Sequence, residues 1–233
     1  VVADISMSPP ADLQPGDPVT VSWVTRITGA AAAAGPWGEQ LRIRNTLTDT
    51  EILLADVPYA GDPIAAGAEV ARSFTLPWPG GRPATGAFEV TVSTDNDDAV
   101  VEGNDAGDAA SNNSTTQIFA SAPDLVVENL RILETDPSAG GEVTVVWDVV
   151  NQGNAVTREG WTDRVRLVNL GRNQAIFNDT KAFDPAAAGP LAPGERAEQR
   201  LTVQLADGLA GAGDIRTTVT ANRNAIGNVG LVE

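Results

Sequence analysis

The residues best equipped for chemistry are acidic and closely spaced: Asp95, Asp97, Asp98, Glu102, Asn104, Asp105 and Asp108 fall in one short segment. Oxygen donors at this density suit Ca2+, which takes about six to eight oxygens from carboxylates and carbonyls. The set is a candidate calcium site; the alternative is a solvated acidic loop. It is not an EF-hand, because Ala99 stands where that loop needs Asp or Asn. Paired carboxylates also perform acid–base catalysis, but no pocket motif surrounds this segment, so no catalytic role is assigned to it. The chain contains no His and no Cys. That removes the Ser-His-Asp triad, the usual zinc ligands and thiol chemistry together. Among the aromatics, Trp78 lies between Pro77 and Pro79 and reads as a loop residue, the one candidate for surface contact with a ligand.

The charge balance limits partners further. With 31 acids against 15 bases the net charge is −16, a field that repels nucleic acid and anionic lipid. The acids concentrate early: residues 1–119 hold 16 acids and 5 bases, and the remainder 15 acids and 10 bases. A cation or a basic partner should therefore favour the first half. No apolar run approaches the roughly 18 residues of a membrane helix, so membrane insertion is not expected. If the chain is secreted, its lack of cysteine points towards a bacterial exported repeat protein rather than a small disulfide scaffold.

These residues must be positioned by strands, and the strands come in two sets. Pro15–Trp23 echoes Ala139–Trp147, and Pro36–Ile43 echoes Gly160–Leu167; Trp23 and Trp147, like Trp37 and Trp161, stand 124 residues apart. The correspondence continues through Gly86–Val92 and Gly213–Val219. A period of this size is a whole domain rather than a solenoid repeat. Alternation of apolar and polar residues at Val19-Val21-Trp23, Leu41-Ile43, Val143-Val145-Trp147-Val149, Val165-Leu167 and Leu201-Val203-Leu205 means strands with one buried face. Gly, Pro, Asn and Asp punctuate the intervals. The Ala30–Ala34 run is bracketed by Gly29, Gly35 and Pro36 and reads as a loop. The fold class expected is all-β: two tandem immunoglobulin-like antiparallel β-sandwiches, at 1–120 and 123–233. Trp23 and Trp147 are expected to fill the two cores. Trp37 and Trp161 are expected to be partly buried, with ligand stacking as the lesser reading.

The second copy also carries a string of motifs: Pro123-Asp124-Leu125-Val126-Val127, Trp147-Asp148-Val149-Val150-Asn151-Gln152-Gly153, Gly160-Trp161-Thr162-Asp163-Arg164-Val165 and Leu191-Ala192-Pro193-Gly194-Glu195. Taken together it resembles the CARDB family, the cell adhesion related domain found in bacteria, over most of residues 123–233. The first copy is a divergent version, with Arg26-Ile27-Thr28-Gly29 in place of the Asn-Gln-Gly turn. The resemblance implies an immunoglobulin-like module of a large secreted or surface protein, and no reaction. Within these motifs, Asn151-Gln152-Gly153 reads as a turn that uses positive φ, and Asp163 and Arg164 as a surface pair. Leu231-Val232-Glu233 parallels Val100-Val101-Glu102, so the second sandwich is expected to lack its last strand and to leave an open sheet edge.

The function expected is a non-catalytic structural or adhesive segment, a spacer that contacts a surface protein or a glycan and adjoins other domains of the same polypeptide. The alternatives are a carbohydrate-binding accessory module of an exported hydrolase and a calcium-stiffened linker.

Overall fold

The computed structural model describes residues 1–103, 107 and 109–223. The chain divides into two compact units, Val1–Ser121 and Ala122–Glu233. The first unit runs β1 (Val2–Ser8), β2 (Pro18–Arg26), β3 (Glu39–Asn45), β4 (Thr50–Asp56), β5 (Glu69–Pro77), β6 (Gly86–Thr94) and β7 (Ser114–Ser121). The second runs β8 (Leu125–Ile132), β9 (Glu142–Asn151), β10 (Trp161–Asn169), β11 (Gln174–Phe183), β12 (Arg196–Gln204) and β13 (Ile215–Thr220). One short helix, Pro185–Ala188, follows β11 and is capped by the Asp184 side chain.

In the first unit the sheets are ordered β1-β2-β5 and β4-β3-β6-β7, every pair antiparallel. In the second they are β8-β9-β12 and β11-β10-β13. Each unit closes an apolar core between its two sheets, and the first unit has a second, smaller cluster of Ala33, Trp37, Tyr59 and Ile64. Val19, Val21 and Trp23 of β2 pack with Leu41 and Ile43 of β3 and with Phe88, Val90 and Val92 of β6. Val143, Val145, Trp147 and Val149 of β9 pack with Trp161, Val165 and Leu167 of β10 and with Val203 of β12. Trp23 is 1 % exposed and Trp147 fully buried, and an indole in this position covers roughly 150–250 Å², which matters in a chain without disulfides.

The two units agree in register as well as in element order. Arg42 faces Leu54 and Thr91 across its ladders, and Arg166 faces Asn178 and Thr218. Both central strands carry a bulge at the same place, between Ile43 and Arg44 and between Leu167 and Val168. Each then ends on a buried asparagine that ties down a distant loop. Asn45 donates to the carbonyls of Pro83 and Thr85 and accepts from the amides of Leu47 and Thr48. Asn169 donates to Ala210 and Ala212 and accepts from Arg172.

Two local expectations are settled in detail. The Ala30–Ala34 run is a loop, held by the bridge between Ala33 and Ile64. The Asn151-Gln152-Gly153 turn does not use positive φ at Asn151 or Gly153. Instead the buried Asn151 side chain accepts from the amides of Asp124 and Gly153 and donates to the carbonyls of Ala155 and Leu191. Gly153 is needed for close approach, since a Cβ there would collide with the backbone of Ala122 and Asp124. The expected missing strand and open edge concern residues 224–233 and lie outside the described residues.

Candidate functional site

The acidic segment leaves β6 at Thr94 and turns at once. Asp95 takes a positive φ of 50° and Asp98 one of 52°, a conformation that Asp tolerates better than most residues. The amide of Asp98 closes the turn on the carbonyl of Asp95 at 3.2 Å. The carboxylates then engage the protein's own donors. Asp95 is buried and accepts from the amide of Val100 at 3.0 Å; burial pushes its carboxyl above the usual range, against the pull of the backbone amides. Asp97 accepts from the amide of Gly38 at 2.8 Å, and Glu102 from the side-chain amide of Asn113 at 2.7 Å. Asp98 points into solvent. Among the described residues no three carboxylates are gathered where they could hold a metal ion. Asn104, Asp105 and Asp108 of the candidate calcium set lie outside the described residues.

Trp78 requires a correction. It is 2 % exposed, donates its indole N–H to the carbonyl of Ala84 at 3.1 Å, and stands edge-on to Phe88 at 4.9 Å between ring centroids. The flanking prolines carry it over the open end of the first core, so it is a plug and not a contact residue. Trp37 and Trp161 are likewise interior, at 3 % and 2 % exposure. Each stacks on one ring of its own unit: Trp37 on Tyr59 at 4.3 Å and Trp161 on Phe183 at 4.1 Å. Their faces are occupied from within, which removes the ligand-stacking reading.

Sequence reasoning missed a buried carboxylate at the start of the central strand in each unit. Glu39 in β3 and Asp163 in β10 are both fully buried, two residues after Trp37 and Trp161. Glu39 accepts from the Thr25 hydroxyl at 2.7 Å and the Thr94 hydroxyl at 3.3 Å, and pairs with the Arg72 guanidinium at 2.8 Å. Arg72 also donates to the carbonyls of Val57 and Pro58. Asp163 accepts from the indole N–H of Trp147 at 2.9 Å and from the amide of Asn222 at 3.3 Å. The reading of Asp163 and Arg164 as a surface pair is therefore wrong: adjacent strand residues point to opposite faces, and Arg164 donates instead to Asn178 at 2.8 Å.

The two carboxylates differ in their counter-charge. Arg72 is the ladder partner of Trp23; the equivalent partner of Trp147 is Gln199. Asp163 thus has donors but no guanidinium in that place. Burial pushes its carboxyl up to about 6, with the Trp147 and Asn222 hydrogen bonds pulling the other way. The signal that could have found both residues was parity. Glu39 shares the inward register of Trp37, Leu41 and Ile43, and Asp163 that of Trp161, Val165 and Leu167.

A cleft of about 390 Å³ in the first unit lies between the Arg26–Ala33 loop and residues 100–103. Arg26 and Glu102 are charged residues of its lining. Arg26 is paired with Glu69 at 2.7 Å and Glu102 accepts from the Asn113 side chain at 2.7 Å.

Fold and side-chain placement define an all-β protein of immunoglobulin-like antiparallel sandwiches. No family profile matches the chain, and no curated protein matches it. Solved structures similar to the chain include three of differing kinds. The CARDB domain of a Pyrococcus furiosus protein, solved with di-metal ions, is 14 % identical over 52 % of this chain and 88 % of that one, with a TM-score of 0.34. Red sea bream transglutaminase is 11 % identical over 95 % of this chain and 29 % of that one, with a TM-score of 0.40. A chaperone–tip adhesin complex of CFA/I fimbriae is 14 % identical over 98 % of both chains, with a TM-score of 0.26. None of these identities or scores is high enough to transfer a property.

Proposed function

We propose that this chain is a non-catalytic structural and adhesive segment of a larger bacterial secreted or cell-surface protein. It acts as a spacer between other domains of the same polypeptide and contacts a surface protein or glycan through its sheet faces and loops. The observation that carries this reading is where the reactive side chains are spent. The tryptophans fill or plug the cores, Glu39 and Asp163 are locked between sheets, and Asp95, Asp97 and Glu102 brace backbone and Asn113. Groups consumed in this way hold a body rigid and leave recognition to exposed polar faces.

The test is an adhesion assay. Beads coated with the purified chain are passed over immobilised extracellular polysaccharides and matrix proteins, and the effluent is assayed for released sugar and peptide. Retention above uncoated beads without product release supports the reading. Sustained product release, or no retention on any surface, contradicts it.

A further inference from the structure

Duplication lets one sheet face be compared position by position with its counterpart. In the first unit the outward face of β4-β3-β6 carries Arg42 and Arg44 with the acids Glu51, Asp56 and Glu89. Arg42 pairs with Glu51 at 3.1 Å and Arg44 with Asp49. The same rows of β11-β10-β13 in the second unit place Ala175, Thr180 and Arg216 where those three acids stood. What remains is Arg164, Arg166 and Arg216 among Thr162, Thr218 and Thr220, with no acid at the outward positions of β10 or at their ladder partners from Thr162 to Val168. Asp179 stands opposite the inward-facing Val165, and Asp214 precedes β13.

The other outward face of the same unit is wired differently. There Arg131 and Arg200 pair with Glu198 at 2.5 and 3.1 Å, and Arg196 reaches Asp148 at 3.7 Å. By contrast Arg164 bonds only the neutral amide of Asn178, and Arg166 and Arg216 are exposed with no carboxylate partner among the described residues. In a chain of net charge −16, three guanidiniums on one sheet face with no carboxylate partner among the described residues stand out against the charge around them. Arg164 and Arg166 are two residues apart on one strand, and Arg216 is opposite Val168, two residues further on. The first two are roughly 7 Å apart along β10, and Arg216 is the diagonal cross-strand neighbour of Arg166, about 7–8 Å away.

We infer that the outward face of β11-β10-β13 binds a carboxylated polysaccharide, with Arg164, Arg166 and Arg216 pairing those uronate carboxylates that the sugar chain turns towards the sheet. Guanidinium forks match planar carboxylates, and the threonine hydroxyls supply donors and acceptors for sugar hydroxyls. The strand rows expose no aromatic or large apolar anchor, whereas a protein interface is built around a dehydrated centre; this favours a sugar chain over an acidic protein. The inference rests on the contact-segment reading and names its surface and ligand class.

The experiment uses the full chain and polygalacturonate, titrated by calorimetry at low salt. Methyl-esterified polygalacturonate removes the charge from the same polymer, and poly-L-glutamate supplies an acidic peptide. Binding to polygalacturonate, absent with the ester and weakened about tenfold or more in Arg166→Gln/Arg216→Gln but not in Arg131→Gln/Arg200→Gln, supports the inference. Both pairs are exposed, so near-identical melting temperatures confirm folding. No binding to polygalacturonate, equal loss in both double variants, or stronger binding to poly-L-glutamate overturns it. Retention of coated beads on some other surface would still stand in that event, so loss of this site and loss of the adhesive reading are separable.

Discussion

The indole N–H of Trp147 donates to the carboxylate of Asp163 at 2.9 Å, from one sheet of the second unit to the other. In the first unit the indole N–H of Trp23 has no partner, and the carboxylate of Glu39 is held by Thr25 and Arg72. One architecture thus satisfies a buried acid in two ways, with a guanidinium in one copy and without it in the other.

Asp163 should make the second unit more stable in mild acid than at neutral pH. Its folded pKa of about 6 lies above the unfolded value of about 3.9. The folded state therefore binds the proton more tightly. Stability from the neutral form is fully present below about pH 4 and is lost as the pH rises through about 6. A displacement of about two pH units corresponds to about 3 kcal/mol. Asp163→Asn keeps an acceptor for Trp147 and removes the ionisation. Denaturant titrations should show the variant ahead of wild type at pH 7 and the gap closing towards pH 4. A gap independent of pH would refute the assignment.

Arg72 and Glu39 should be strongly coupled. Removing one partner of a buried pair costs about 3–5 kcal/mol, because the other charge is left uncompensated, whereas replacing both with apolar groups can be near neutral. Arg72→Met alone should destabilise the first unit heavily, and Arg72→Met/Glu39→Leu should recover much of the loss. Urea midpoints of the single and double variants measure this; additive losses would contradict it.

The asparagines that close the central strands should matter more than their polarity suggests. Asn45→Ala strands two carbonyls and two amides, and buried groups left without partners cost about 1–3 kcal/mol each. A loss of at least about 2 kcal/mol is expected on thermal melting, with the Asn169→Ala loss of similar size.

Calcium should leave the melting temperature unchanged relative to EDTA. Asp95, Asp97 and Glu102 already accept from protein donors, with Asp98 left exposed, and a ligand that binds only the folded state would raise the midpoint. A rise that depends on calcium concentration would contradict this and support the seven-residue set as a calcium site.

Much of this fold was legible because one rule, period two, governs it. The alternation through Val19-Val21-Trp23 and Val165-Leu167 placed strands and cores correctly. The same parity carried on by one step reaches Glu39, Asn45, Asp163 and Asn169, but polar residue type masked it: a carboxylate reads as surface until its partners are known. Trp78 was illegible for another reason. Pro77 and Pro79 mark the end of a strand, and only the position of Ala84 and Phe88, distant in sequence, shows that the loop folds back into the core. The arginine group of β10 and β13 was hidden in the same way, since it appears only when the registers of the two units are compared.

The account stands on the tryptophans being spent inside, with none left to meet a ligand. All five, Trp23, Trp37, Trp78, Trp147 and Trp161, are at most 3 % exposed. Iodide and acrylamide quenching of native fluorescence measures this directly. Blue-shifted emission with little quenching by either agent until the protein is denatured is the predicted result. A red-shifted fraction that iodide quenches in the native protein would contradict it.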